Sequence, residues 1–125
     1  MPLILLVEDN MDNRDMLARR LQRGGFDVRL ANNGREGIIL AEECHPNLIL
    51  MDLSMPVLDG WEATRRIKAN PGLKSIPIIA LTGHAMKNDR EKALAVGADD
   101  YVSKPIDFTA LIKSMQYWLE HAGST

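Results

Sequence analysis

Leu3-Ile4-Leu5-Leu6-Val7-Glu8-Asp9-Asn10 sets five apolar residues directly against two acids. An unbroken apolar run of this length suits a strand covered on both faces, which is the usual state of a strand in a parallel sheet flanked by helices. The change to Glu8-Asp9 is the puzzle. Two adjacent carboxylates at the mouth of a buried strand repel each other and gain nothing from the core.

Comparable runs recur along the chain at Phe26 to Leu30, Leu48 to Met51, Ile76 to Leu81 and Tyr101 to Val102. Helical spacing fills the intervals. Leu17, Ala18 and Leu21 mark a first helix that stops at Gly24-Gly25, and Ile38, Ala41 and Cys44 a second that stops before Pro46. Gly60 to Ala69 and Ala85 to Val96 read as the third and fourth, closed by Asn70-Pro71-Gly72 and by Gly97. Phe108, Leu111, Ile112, Met115, Trp118 and Leu119 give the last helix one apolar face. Strand and helix in strict alternation predict βαβ units, and right-handed crossovers favour an α/β, flavodoxin-like, doubly wound (βα)5 fold with parallel sheet order 2-1-3-4-5.

The 125 residues are enough for one core and too few for two, so residues 1-125 are expected to form a single domain. With 46% hydrophobic and 26% charged residues the composition is that of an ordinary globular protein. A net charge of -2 without any Lys/Arg run offers no electrostatic footprint for nucleic acid. Cys44 is the only cysteine, which excludes an internal disulfide. The amino terminus lacks the features of a signal peptide and no apolar run spans a bilayer, so a cytoplasmic protein without membrane attachment is expected.

The expected strand order makes strands 1 and 3 neighbours and opens a crevice at their carboxyl ends, where such sheets bind ligands. Glu8-Asp9 ends strand 1, Asp52 ends strand 3, Thr82 ends strand 4, and Ser103-Lys104-Pro105 ends strand 5. Three carboxylates brought within about 4 Å of one another would repel by roughly 4 kcal/mol per pair at an effective dielectric near 20. A cation is needed, and hard oxygen ligands without thiols or paired histidines favour Mg²⁺. Magnesium commonly shares its sites with phosphate, which makes a phosphoryl group the expected second ligand. Asp52 is then a natural nucleophile, since carboxylates form aspartyl phosphates. Lys104 and the Thr82 hydroxyl are suited to the phosphoryl oxygens. Taken singly, each residue has an ordinary explanation: helix capping for Glu8-Asp9 with Asn10, a turn for Asp52, a strand end for Thr82, a solvated surface for Lys104. None of these explains the convergence.

The acid pair Glu8-Asp9, MDLSMPVLDG (Met51 to Gly60), LTGHAM (Leu81 to Met86) and YVSKPID (Tyr101 to Asp107) together resemble the receiver domain of bacterial two-component response regulators, of the single-domain, chemotaxis-regulator-like kind. The resemblance spans essentially the whole chain. It implies a signalling domain, not an enzyme acting on a separate substrate, in which Asp52 accepts a phosphoryl group from a sensor histidine kinase or a histidine phosphotransfer protein. It also implies that Glu8, Asp9, Asp52 and the carbonyl of Ser54 hold Mg²⁺, and that Thr82 and Lys104 contact the phosphoryl oxygens. Thr82 and Tyr101 are implied to switch the surface of helix 4, strand 5 and helix 5 toward a downstream protein effector. A cis Lys104-Pro105 bond, and a monomer or weak dimer without direct nucleic-acid binding, belong to the same expectation.

Three other functions fit less well. An aspartate-nucleophile phosphatase wants a DxD motif after strand 1, and a flavin mononucleotide carrier wants Ser, Thr and Gly where Glu8 and Asp9 stand. A receiver-shaped module without phosphoryl chemistry would be expected to lack one of the acids, Thr82 or Lys104.

Overall fold

The computed structural model describes residues 1–53, 60–82 and 87–121. In chain order the elements are β1 (Leu3–Val7), α1 (Met11–Arg23), β2 (Asp27–Ala31), α2 (Gly34–Cys44), β3 (Leu48–Asp52), α3 (Gly60–Ala69), β4 (Ile78–Thr82), α4 (Lys87–Ala95), β5 (Asp100–Ser103) and α5 (Phe108–His121). The five strands form one parallel sheet in the order β2-β1-β3-β4-β5. This is the flavodoxin-like arrangement expected from the apolar runs.

Strand pleating divides the interior in two. Leu5, Val7, Ile49, Met51, Ile78 and Ala80 pack on one face of the sheet with Ala41, Ala63, Ile67 and Ala93 of α2, α3 and α4. Ile4, Leu6, Leu48, Leu50, Ile79 and Leu81 pack on the other with Leu17, Ala18, Leu21, Leu111 and Met115 of α1 and α5. Both rows of the central strands are buried, which is why their sequences show no polar alternation. The edge strands β2 and β5 are only partly covered.

Two strand starts move inward for local reasons. The second strand begins at Asp27 instead of Phe26, because Phe26 turns its ring into the α1/α5 core while its N–H bonds Leu21 O at 3.1 Å. The fourth begins at Ile78 instead of Ile76: the Ile76 N–H closes a turn onto Leu73 O at 3.0 Å, and Pro77 has no N–H to give a ladder. A clamp below this turn holds the amino ends of β4 and β5 together. Lys68 Nζ donates to Lys74 O (3.1 Å), Ile76 O (2.8 Å) and Asp99 Oδ2 (2.7 Å), and the same carboxylate accepts the Ile78 N–H at 2.8 Å.

At the other end, α1 is capped by Asn10, whose Oδ1 accepts the Asn13 N–H at 2.9 Å. Asn10 alone therefore performs the capping otherwise assignable to Glu8 and Asp9. The Lys104–Pro105 peptide is cis. Among the described residues, no helix is long and apolar enough to cross a membrane.

Candidate functional site

Register decides which side chains meet. Val7, Met51, Ala80 and Tyr101 are successive pairing partners across β1, β3, β4 and β5. One residue further along, β1 and β3 deliver Glu8 and Asp52 side by side at the carboxyl edge of the sheet. Asp52 is the register partner of Leu81, and Thr82 that of Ser103. Glu8, Asp52 and Thr82 are all buried, at 3%, 2% and 2% exposure, whereas Asp9 is exposed. These three buried polar residues share one edge of the sheet, and among the described residues Thr64 is the one other buried polar side chain.

The structure brings together the three acids that the sequence singles out. One carboxylate oxygen each from Glu8, Asp9 and Asp52 lies within 4.8 Å of the others. Lys104 reaches the same place from beyond β5: its Nζ is 3.2 Å from Asp52 Oδ2 and 3.4 Å from Glu8 Oε1. Its backbone N–H bonds Thr82 O at 2.7 Å, so the lysine is tied to the end of β4. Tyr101 stands three residues earlier, half-buried against the α2/α3/α4 core on the opposite face of the sheet. Ser54 lies outside the described residues.

One lysine does not balance this cluster. Burial, followed by contact with the Asp52 carboxyl, pushes the Glu8 carboxyl up to about 7 from its ordinary 4.5, against the opposing pull of Lys104. Its Oε2 is buried and, among the described residues, has no hydrogen-bond partner. An unsatisfied buried carboxylate oxygen carries a substantial desolvation cost unless a proton or a cation meets it. Its position beside two further carboxylates, with no Cys or His joining them among the described residues, suits a hard divalent cation. A cavity of about 310 Å³ opens next to Glu8 and Lys104 between α1 and the start of α5, walled by Met16, Leu17, Pro105 and Phe108.

Two supporting features were not read from the sequence. Gly60 begins α3 so close to the end of β3 that a Cβ there would stand 2.0 Å from Asp52 O and 2.6 Å from Leu53 Cα. Reading Gly60 only as the start of the third helix missed this contact, which backs the Asp52 main chain with the α3 backbone. The second feature is Arg14, which donates to Glu8 O and to Asn32 Oδ1. Its position one turn into α1, after the acid pair, was the available signal.

The family model for the response regulator receiver domain matches residues 4–116. The chain belongs to this family. Among curated relatives, the polar-differentiation response regulator DivK of Brucella ovis is 36% identical over 119 residues, covering 95% of this receiver and 97% of DivK. Hybrid signal transduction histidine kinase I of Dictyostelium discoideum is 45% identical over 112 residues, 83% of this chain, but the match spans only 6% of that kinase. Among solved structures, the receiver domain of the sensor histidine kinase PA1611 of Pseudomonas aeruginosa, which has a magnesium ion coordinated in its active-site cleft, is 40% identical with a TM-score of 0.88, covering 95% of this chain and 98% of that one. The receiver of Saccharomyces cerevisiae Ssk1, crystallised with the histidine phosphotransfer protein Ypd1, is 33% identical with a TM-score of 0.89, covering 96% and 90%. Receivers are signalling domains that pair with histidine kinases or phosphotransfer proteins.

Proposed function

We propose that this receiver takes a phosphoryl group onto Asp52 from a phosphohistidine on a sensor kinase or phosphotransfer protein, and passes the signal on by binding a downstream protein, in a cytoplasmic setting. One observation carries the reading: a buried aspartate at the carboxyl end of a central strand, with a lysine ammonium 3.2 Å away, beside a buried glutamate whose Oε2 has no hydrogen-bond partner among the described residues.

In this reading an Asp52 oxygen attacks phosphorus, the phosphorus–nitrogen bond of the donor breaks, and the imidazole leaves with the bonding electron pair. Little covalent chemistry falls to the protein, because such transfers depend on positioning and on stabilising charge. Asp52 is positioned by the β3 ladder and by the close approach of Gly60. Lys104 moves its ammonium from the Asp52 carboxylate to the arriving phosphoryl oxygens, a short shift for a side chain anchored at the end of β4 through its own N–H. The Thr82 hydroxyl serves a second phosphoryl oxygen. Glu8, Asp9 and Asp52, with the Ser54 carbonyl, would hold Mg²⁺, which when bound supplies positive charge to the carboxylates and the phosphoryl oxygens together. Transfer moves the negative charge from the Asp52 carboxylate oxygens to the phosphoryl oxygens it now carries, and the Lys104 ammonium follows it. Thr82 and Tyr101 carry the change to the α4, β5 and α5 surface.

The test is incubation with Mg²⁺ and acetyl phosphate, followed by intact-mass measurement. One added phosphoryl group is expected in the parent and none in Asp52→Asn. Equal modification of the two proteins would remove Asp52 as acceptor.

A further inference from the structure

The Glu8–Asp9 peptide is held by more than its own strand. Arg14 Nη1 donates to Glu8 O, the carbonyl of that same peptide, at 3.4 Å, and also to Asn32 Oδ1. Asn32 in turn gives its N–H and its side-chain amide to the Glu36 carboxylate, at 3.3 Å to Oε1 and 3.2 Å to Oε2. Glu36 is fixed at the start of α2, where Asn33 Oδ1 accepts its N–H at 2.9 Å. On its other side the Glu8 N–H bonds Ala31 O at 3.1 Å. A chain of charge-assisted hydrogen bonds thus runs from α2 through the β2–α2 connection and α1 to the one peptide that joins two of the three clustered acids.

We infer that Arg14, set by Asn32 and Glu36, is a positioning residue for the cation site, fixing the Glu8–Asp9 peptide so that the exposed Asp9 carboxylate is held toward Glu8 and Asp52. The inference rests on the metal-binding reading proposed above. Asp9 needs such help more than its neighbours: Glu8 and Asp52 are walled in by the core, while Asp9 is exposed and lies outside any strand or helix. A guanidinium this close to a cation site opposes the cation by charge. If Arg14 acted through its charge, its removal would tighten metal binding; acting through position, its removal weakens it. The two roles therefore have opposite signs.

The experiment follows Mg²⁺ titrations by amide NMR shifts in the full chain, comparing the parent with Arg14→Met, Arg14→Lys and Asn32→Ala. Each variant is expected to bind Mg²⁺ about 10-fold more weakly, the lower end of the loss seen when partners behind metal ligands are removed. Asn32→Ala alters no charge, and Arg14→Lys keeps the charge while losing the fork. The double variant Arg14→Met/Asn32→Ala should bind no more weakly than Arg14→Met alone, since both break one chain. In metal-free protein the amides of Asp9 and Asn10 should exchange faster in the variants, with those of β3 unchanged. Parent-like Mg²⁺ binding by Asn32→Ala, tighter binding by Arg14→Met, or unaltered Asp9 exchange would each overturn the inference and leave the site reading intact. A parent chain that takes up no Mg²⁺ would overturn the site reading and this inference with it.

Discussion

Glu8 offers the sharpest quantitative test of the buried acidic cluster. Its carboxyl is raised from 4.5 to about 7, chiefly by burial and then by the Asp52 carboxyl. A raised carboxyl pKa means that the folded chain holds a proton the unfolded chain has released. Between pH 4.5 and about 7 the unfolded state therefore binds fewer protons, and stability falls as pH rises. The contribution is complete below 4.5 and disappears as pH passes through the folded value near 7. It amounts to about 3 kcal/mol, since each tenfold gain in proton affinity is worth about 1.4 kcal/mol. Replacing Glu8 by Gln retains the shape and abolishes the ionisation. In EDTA, Glu8→Gln should match the parent near pH 4 and exceed it by about 3 kcal/mol at pH 8.5, which corresponds to about 10 °C in Tm for a domain of this size. Thermal and urea denaturation at four pH values between these limits would trace the difference. Adding Mg²⁺ at pH 8.5 should narrow or reverse the gap, because the cation stabilises only a site with its carboxylates present. A stability difference independent of pH, or a Gln variant weaker than the parent at pH 8.5 without metal, would refute the view that Glu8 is ionised there at a cost.

Lys104→Met leaves Glu8 and Asp52 without the ammonium at 3.4 and 3.2 Å, and should destabilise the metal-free chain by about 3 kcal/mol at pH 8. The loss should shrink toward pH 5 as Glu8 takes its proton, and denaturation at both pH values would show it. Gly60→Ala drives a Cβ into the Asp52 carbonyl, and should cost about 1 to 3 kcal/mol while lowering the rate of acetyl phosphate labelling measured by intact mass. Lys68→Met removes the clamp on Lys74, Ile76 and Asp99, and should cost about 2 kcal/mol in urea denaturation. Its labelling rate should stay that of the parent, because the clamp lies at the amino end of the strands.

Most of the architecture was present in linear order. The apolar runs of β1, β3 and β4 are unbroken because helices cover both of their faces, so their period announces the parallel sheet without reference to any contact. Edges were less readable. Phe26 and Ile76 look like strand residues, and only the turns that seat Phe26 in the α1/α5 core and close Ile76 onto Leu73 exclude them from the ladder. The acids were readable for a similar reason: a strand order of 2-1-3-4-5 leaves Glu8 and Asp52 no place except the same edge.

Sequence by itself determined which residues arrive at the carboxyl edge of the sheet, because strand length and crossover hand are local properties of the chain. Tertiary structure alone decided how they meet there. The raised Glu8 pKa, the Oε2 without a partner among the described residues, the reach of Lys104 to both buried carboxylates, the Gly60 approach and the Arg14–Asn32–Glu36 chain all depend on distances that only the folded chain sets. Electrostatic energy and steric exclusion vary steeply over an ångström, and no periodicity along the chain carries that resolution.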